Sequence, residues 1–335
     1  MKKVFLIIFF FSGVLTVPIL AQAFRTYRVN NMLTQNPAAK IYTTVQAAHD
    51  AANNGDTILI EGSPVQYSGE FNCVKKLVIK GPGYFLHENP GISANKARAE
   101  LWMVTFGTGS AGSVIMGIEC YYSLNINVDD ITVRRCHLHG CSINPVKNVK
   151  ISECIFSGGQ GFGGGSVTNL TIANCIINRD VAFGYSSPSH GTGSFLNNIF
   201  TVASVAIPTG FVMKNNIFFF TEKPDVYLPS LDAAVSYNMS IADHFGTANN
   251  NKANISATVL FVGDATESSD GRWKLKAGSP AIGAGEGGVD CGAYGGPNPY
   301  ILSGLPVGPT IYELNVSSYV TPAGKLPMTT KVKSY

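Results

Sequence analysis

Between Ile131 and Phe218 the chain repeats itself. The segments ITVRRCHL from Ile131, VKISECIF from Val149, LTIANCII from Leu170, GSFLNNIF from Gly193 and FVMKNNIF from Phe211 start 18, 21, 23 and 18 residues apart. Each reads apolar, any residue, apolar, then two mostly polar residues, then Cys or Asn, any residue, apolar. Alternation of this kind marks a strand with one buried face. A unit of about twenty residues cannot bury such a face alone, so neighbours must stack into a solenoid with one continuous core. Val133, Ile151, Ile172, Phe195 and Met213 then share one inward position, and Leu138, Phe156, Ile177, Phe200 and Phe218 share another. The pairs Arg134-Arg135, Ser152-Glu153, Ala173-Asn174, Leu196-Asn197 and Lys214-Asn215 form a bend between two short strands. Asp130, Asn148, Asn169, Thr192 and Gly210 precede the segments, and all but Thr192 are residue types that tolerate left-handed backbone. A turn is therefore predicted there in coil after coil. Length varies mainly after the second strand, and the loops there are where function is expected.

Cys136, Cys154 and Cys175 fall on one interior position, continued by Asn198 and Asn216. Small buried fillers and amides bonding their stacked neighbours explain this column. Strands about 4.8 Å apart leave one disulfide in the column geometrically open. Three equivalent cysteines cannot all pair, and Cys73, Cys120, Cys141 and Cys291 have no evident partners.

With 36 glycines and only 13% charged residues, the 335-residue chain fits one all-β body. Net charge is +3, of which Lys2 and Lys3 supply part, and no basic run is present, so a nucleic-acid partner gains no support. Lys2 and Lys3, the apolar stretch Val4 to Val17 and Ala21-Gln22-Ala23 together read as a secretory leader cleaved after Ala23. Export to a periplasmic, cell-surface or extracellular location follows, with no membrane span in the mature chain, which is expected to be a monomer. The domain plan is a leader over 1–23, a parallel β-helix over 24–300 and a tail over 301–335. In the tail PTIYELNV and KLPMTTKVKS read as two strands lying along the solenoid or over its C-terminal edge. At the other end Thr43 or Thr44 caps a helix running to about residue 53, ended by Asn54-Gly55. Thr57–Ile60 is predicted as the first strand, and KKLVIKGPGY from Lys75 as the next coil.

That N-terminal segment, the repeats ending in NC or NN, and LKAGSPAIGAG followed by VDCGAYGG resemble the pectin-lyase-like family of bacterial right-handed parallel β-helix proteins over roughly Tyr42 to Pro299. Leu275 to Gly296 resembles the last coils of uncharacterised exported members. The resemblance implies the fold and leaves the activity open, since the fold hosts lyases, hydrolases, epimerases and adhesins.

Asp129-Asp130 invites comparison with the acidic pairs of the hydrolases of that fold. The register makes Asp130 equivalent to Asn148, Asn169 and Gly210, hence a turn residue. His190-Gly191 matches part of their Gly-His-Gly element, with Ser189 in place of the first Gly, and sits in the flexible-looking loop GYSSPSHGTG. The lyases of the fold use an acidic cluster holding Ca²⁺ beside a basic residue, and no such acidic column is visible. Glu153, one coil from Arg135, reads as a ladder ion pair of little net value. The remaining cluster is Arg134, Arg135, His137 and His139, with His137 pointing outward. Arg179, Asp180, Tyr185 and His190 lie about two coils, or ~10 Å, along the stack. Together these eight residues are expected to line a shallow cationic and aromatic groove for a polysaccharide. No cofactor or metal is expected, Ca²⁺ entering only if the chain is a lyase. Three readings stand: a glycan-associated β-helix without catalysis, a polysaccharide lyase or glycoside hydrolase of the same fold, and a structural or adhesion spacer.

Overall fold

Stacking the repeats satisfies what their alternation demands. The computed structural model describes residues 24–158, 161–183, 191–202, 205–206, 210–221, 234–263, 267–321 and 323–334. The leader expected over 1–23 lies outside them, as do Tyr185 and His190. The chain winds as a right-handed parallel β-helix. Among the described residues its first sheet has eleven strands, ordered 41–42, 26–29, 57–60, 78–80, 114–116, 132–134, 150–152, 170–173, 193–196, 211–214 and 235–236. Val133, Ile151, Ile172, Phe195 and Met213 pair in register down this sheet. Leu138, Phe156, Ile177, Phe200 and Phe218 do the same in the second.

The first sheet opens earlier than expected. Thr57–Ile60 is preceded by Thr26–Val29, which pairs with it directly, and by Ile41–Tyr42 at the edge. Only Tyr27 and Val29 of that strand are buried, a pattern too short to register as periodicity. The capping helix spans Val45–Ala51, with Thr44 Oγ1 accepting from Ala47 N–H at 3.2 Å. It stops short of residue 53 because Ala52 turns extended.

The second sheet begins as long, bulged strands at Tyr67–Cys73, Glu100–Phe106 and Glu119–Ile126. From the next coil on, each splits in two. Glu119–Ile126 pairs with His137–Leu138 along its first half and with Cys141–Ile143 along its second. The solenoid is thus two-sided at its start and three-sided afterwards.

The bends behave as the residue types require. Asp130, Asn148, Asn169 and Gly210 have positive φ, and so do Arg135, Glu153, Asn174, Asn197 and Asn215. Asn148 donates to Asp130, and Asn169 to Asn148, so Asp130 belongs to an external turn ladder. Inside, the file Cys136, Cys154, Cys175, Asn198 and Asn216 is buried and continues through Asn238 and Asn251. Each Asn Oδ1 accepts the backbone N–H of its neighbour in the file: Asn198 from Cys175 at 2.9 Å, Asn216 from Asn198 at 2.9 Å and Asn238 from Asn216 at 3.0 Å. Removing one amide would leave such partners unsatisfied, at about 1–3 kcal/mol. All seven cysteines are free and buried, and burial pushes the Cys136 and Cys154 thiols well above their usual range. They are inert core thiols, not disulfide partners.

After Ser240 the described chain adds no strand to either long sheet. Residues 257–263 and 267–305 cover the outside of the second sheet as an irregular strap, of which 281–305 runs back along the stack. Asn215 Oδ1 accepts from Glu286 N–H at 2.9 Å, Asn197 Nδ2 donates to Asp290 O at 2.9 Å, and Asn174 Nδ2 donates to Ala293 and Gly295 carbonyls at 3.0 and 2.7 Å. Arg135 reaches Leu305 O at 2.8 Å. The segment Leu275 to Gly296, expected to resemble final coils, therefore lies across earlier coils. Beneath it Ile155, Ile176, Ile199, Ile217 and Met239 form a second core with Leu260, Phe261, Ala281 and Ala293. Gly292 makes the approach possible: its φ is +86° and a Cβ there would come within 2.8 Å of Ile217.

The tail forms an antiparallel hairpin, Pro309–Val316 with Met328–Ser334. It is anchored by Ala94 N–H to Ile311 O at 2.8 Å, on the loop before Glu100 and not at the C-terminal edge. Residues 302–305, expected in the tail, belong to the strap. No helix among the described residues is long and apolar enough to cross a membrane.

Candidate functional site: an ionisable cluster beside an aromatic stripe

The outward positions of the second sheet are polar where the strap ends. Because successive coils pair in register, Glu100, Glu119 and His137 stack in one column. Gln66 Nε2 donates to Glu100 Oε1 at 2.8 Å at the head of it. Arg98 binds Glu100 and Glu119 together, its Nε lying 2.8 Å from Glu119 Oε2. Glu119 Oε1 lies 3.2 Å from His139 Nε2 and 3.4 Å from His137 Nδ1. The His139 contact is a hydrogen bond; the His137 contact lacks the alignment of one, so Nδ1 is buried without a partner. His137 Nε2 meets Ser157 Oγ at 2.7 Å. Burial pushes the Glu119 carboxyl up, but the two imidazoles of His137 and His139 beside it and the charge of Arg98 outweigh it and hold it at about 2. Glu119 is therefore a fixed anion at neutral pH.

His137 does point outward, as the register requires, yet only 5% of its side chain is exposed. The Tyr84 and Phe85 rings cover it, with centroids 5.6 and 4.8 Å away. Phe85 reaches it from a left-handed backbone at φ +50°, a conformation costing a bulky residue about 1–2 kcal/mol. Tyr84 is held by its hydroxyl to Tyr300 at 2.8 Å, and its N–H donates to Ser303 O at 2.9 Å. The strap's last residues thus press the loop onto His137. His139 keeps 20% of its side chain exposed.

Beside this cluster the bulge does something the alternation cannot show. Where Leu101 pairs with Cys120 and Met103 with Ser123, one residue, Trp102, faces two, Tyr121 and Tyr122. All three rings turn outward, at 38%, 48% and 40% exposure. Trp102 stacks on Tyr121 at 5.6 Å and on Tyr122 at 5.2 Å, nearly parallel at 11°. Tyr121 meets His139 at 5.1 Å. The result is a short aromatic stripe along the stack, ending at the ionisable cluster. Gly158, with φ +123°, lies over His139, and a Cβ there would come within 2.6 Å of its ring.

Of the residues read from the sequence, His137 and His139 belong to this site. Arg134 and Arg135 do not line an open groove. Both bind Glu153, Arg135 Nε at 2.6 Å, and Arg135 and Glu153 are buried beneath the strap, so the pair is an interior one. Arg179 and Asp180 stand at the bend before Val181, two coils beyond His139, with Asp180 exposed. Tyr185 and His190 lie outside the described residues. Arg98, Glu100, Glu119 and the three aromatic residues escaped the sequence reading. The coil VIMGIEC, from Val114, carries its cysteine at the inward position of Leu138, so matching Cys to Cys hides it.

Chemically the cluster offers a permanent carboxylate, two imidazoles, one with solvent access, a guanidinium and a hydroxyl. Glu119, His137 and His139 each turn one ligand-capable atom inward, all within 4.8 Å of one another. Comparisons with family models, with curated proteins and with solved structures find no match to this chain.

Proposed function

We propose that this protein associates with polysaccharide through the stripe of Trp102, Tyr121 and Tyr122. The observation that carries this reading is the exposure, on paired strands, of Trp102 stacked on both Tyr121 and Tyr122. The face of an aromatic ring is electron-rich and attracts the polarised C–H bonds on the apolar face of a sugar ring. A soluble protein that exposes such rings side by side, flanked by Arg98 and His139, has a surface suited to sugar rings with charged or hydroxyl substituents. The site is thus smaller than a groove spanning three coils, and it is centred on the bulge. In this reading the chain is exported, its first 23 residues being the leader, and belongs among the pectin-lyase-like β-helices.

Retention of the chain in gels containing acidic or neutral polysaccharides tests this. Wild type should be retarded by at least one polymer, and Trp102→Ala with Tyr122→Ala should run freely. Equal retardation of both proteins, or none by any polymer, would overturn the reading.

One observation favours catalysis as the alternative. Carboxylate, imidazole and guanidinium converge beside the stripe, where a lyase or hydrolase would need them. Glu119, held ionised, is unsuited to donating a proton, which leaves His139 as the proton carrier. The appearance of unsaturated or reducing ends, abolished by His139→Gln, would establish this second reading.

A further inference from the structure

We infer that Glu119, His137 and His139 form a binding site for a first-row transition-metal ion of the zinc type. This stands independently of the polysaccharide reading. The sign of it is the state of His137. Its Nε2 meets the Ser157 hydroxyl at 2.7 Å. With Nε2–H donating to Ser157, Nδ1 presents a bare lone pair. That nitrogen is buried, has no hydrogen-bond partner, and faces Glu119 Oε1 at 3.4 Å. A lone pair held against a carboxylate oxygen is repulsive unless positive charge lies between them. The reverse tautomer would put N–H there, but without the alignment of a hydrogen bond. A cation satisfies both atoms and His139 Nε2 as well.

The spacing agrees. Bonds of about 2.0–2.2 Å meeting at tetrahedral angles put neighbouring ligand atoms about 3.3–3.6 Å apart. Glu119 Oε1 lies 3.2 and 3.4 Å from the two imidazole nitrogens. Two imidazoles and one carboxylate suit zinc, copper, nickel or ferrous iron, whereas Ca²⁺ and Mg²⁺ need oxygen ligands. The surrounding contacts are those of a metal centre. Ser157 fixes the ring of His137, and Arg98, 2.8 Å from Glu119 Oε2, ties up the second oxygen and leaves Oε1 as a single ligand atom. Glu119 and His137 are buried on paired strands, so two ligands are set before the ion arrives. His139, partly exposed at the edge of the aromatic stripe, gives the ion its way in.

Titration of the tag-free, chelator-treated full chain with Zn²⁺ tests this, read by calorimetry and by the thermal midpoint. One ion should bind per chain, at micromolar Kd or tighter, and raise the midpoint. His139→Gln should weaken binding at least 100-fold and abolish the rise. Ser157→Ala, which leaves all three ligands in place, should weaken it about 10- to 100-fold. His87→Gln, at an exposed histidine outside the site, should bind as wild type does. Co²⁺ should give the intense visible bands of a four-coordinate site. Absence of binding below millimolar Zn²⁺, or equal affinity in wild type and His139→Gln, overturns the inference. If His139→Gln does not fold, unchanged affinity in Ser157→Ala overturns it instead. Polysaccharide retention of Trp102→Ala bears on the stripe alone, so the two readings fail separately.

Discussion

One column of outward side chains on the second sheet is built in two ways. Toward the N-terminus it reads Glu100, Glu119, His137, and each group is matched to a partner: Gln66, Arg98, Ser157 or His139. Toward the C-terminus it reads Ile155, Ile176, Ile199, Ile217, Met239, matched to nothing polar and sealed by the strap. The strands beneath are alike, and the register is continuous. What differs is the cover. An irregular strap supplies shape and apolar area and can seal isoleucines at about 25 cal/mol per Å² removed from water. It cannot follow ionised groups without specific partners, because an unpaired buried charge costs several kcal/mol. The strap accordingly ends at Leu305, beside Arg135, where the column turns polar. Chemistry collects where the cover stops.

The sharpest way to break this contrast is to put a charge under the seal. Ile176→Asp should cost about 4 kcal/mol or more, since the core it sits in beneath the strap is apolar. Urea unfolding would measure the loss, and proteolysis within 281–305 of the otherwise folded chain would show the strap released. Next in size is the polar half's dependence on pH. The folded Glu119 carboxyl sits at about 2 against an ordinary 4.5, so its contribution is complete above about pH 4.5 and disappears as pH falls toward 2. That difference corresponds to about 3 kcal/mol. Glu119→Gln should flatten the acid limb of a stability-against-pH curve; an unchanged limb would mean that other carboxylates carry it. Extending the isoleucine column by one coil, with His137→Ile, should change stability by no more than about 1 kcal/mol in metal-free protein, because an apolar group replaces a buried polar one under the Tyr84 and Phe85 rings. The same variant should lose zinc binding. The smallest effect belongs to the open stripe. Trp102→Ala should shift stability by about 0.5 kcal/mol or less while reducing retention by polysaccharide.

The interior of this molecule was legible from the chain because its period is strict. One position per coil must be small or an amide, another must be large and apolar, and the bend before the second strand must accept left-handed backbone. Cys154, Phe156 and Glu153 each announce their place through their neighbours one coil away. The outer surface follows no such rule. The outward file of Ile155, Ile176, Ile199 and Ile217 was not read as one, and nothing local in it says that Leu260, Phe261, Ala281 and Ala293 cover it. Glu119 was missed because its coil has Gly117 at the bend and Ile118 in the interior file. The aromatic stripe was missed because a bulge breaks the alternation that would have placed Tyr121 and Tyr122 on opposite faces. Arg135 was misjudged as open because its burial depends on Leu305, 170 residues away.

The strap's path also sets an order of events during synthesis. Each coil can wind on its predecessor as it leaves the ribosome, since its partners are already made. The isoleucine file has no such provision. It is complete once Met239 has emerged, and its covering residues Leu260, Ala281 and Ala293 are the ones still to come. Through that interval a nascent chain carries a bare oily ridge along a finished scaffold, open to whatever it meets first. A product truncated shortly after Met239 would keep that ridge permanently and should aggregate, although every coil in it is correctly wound.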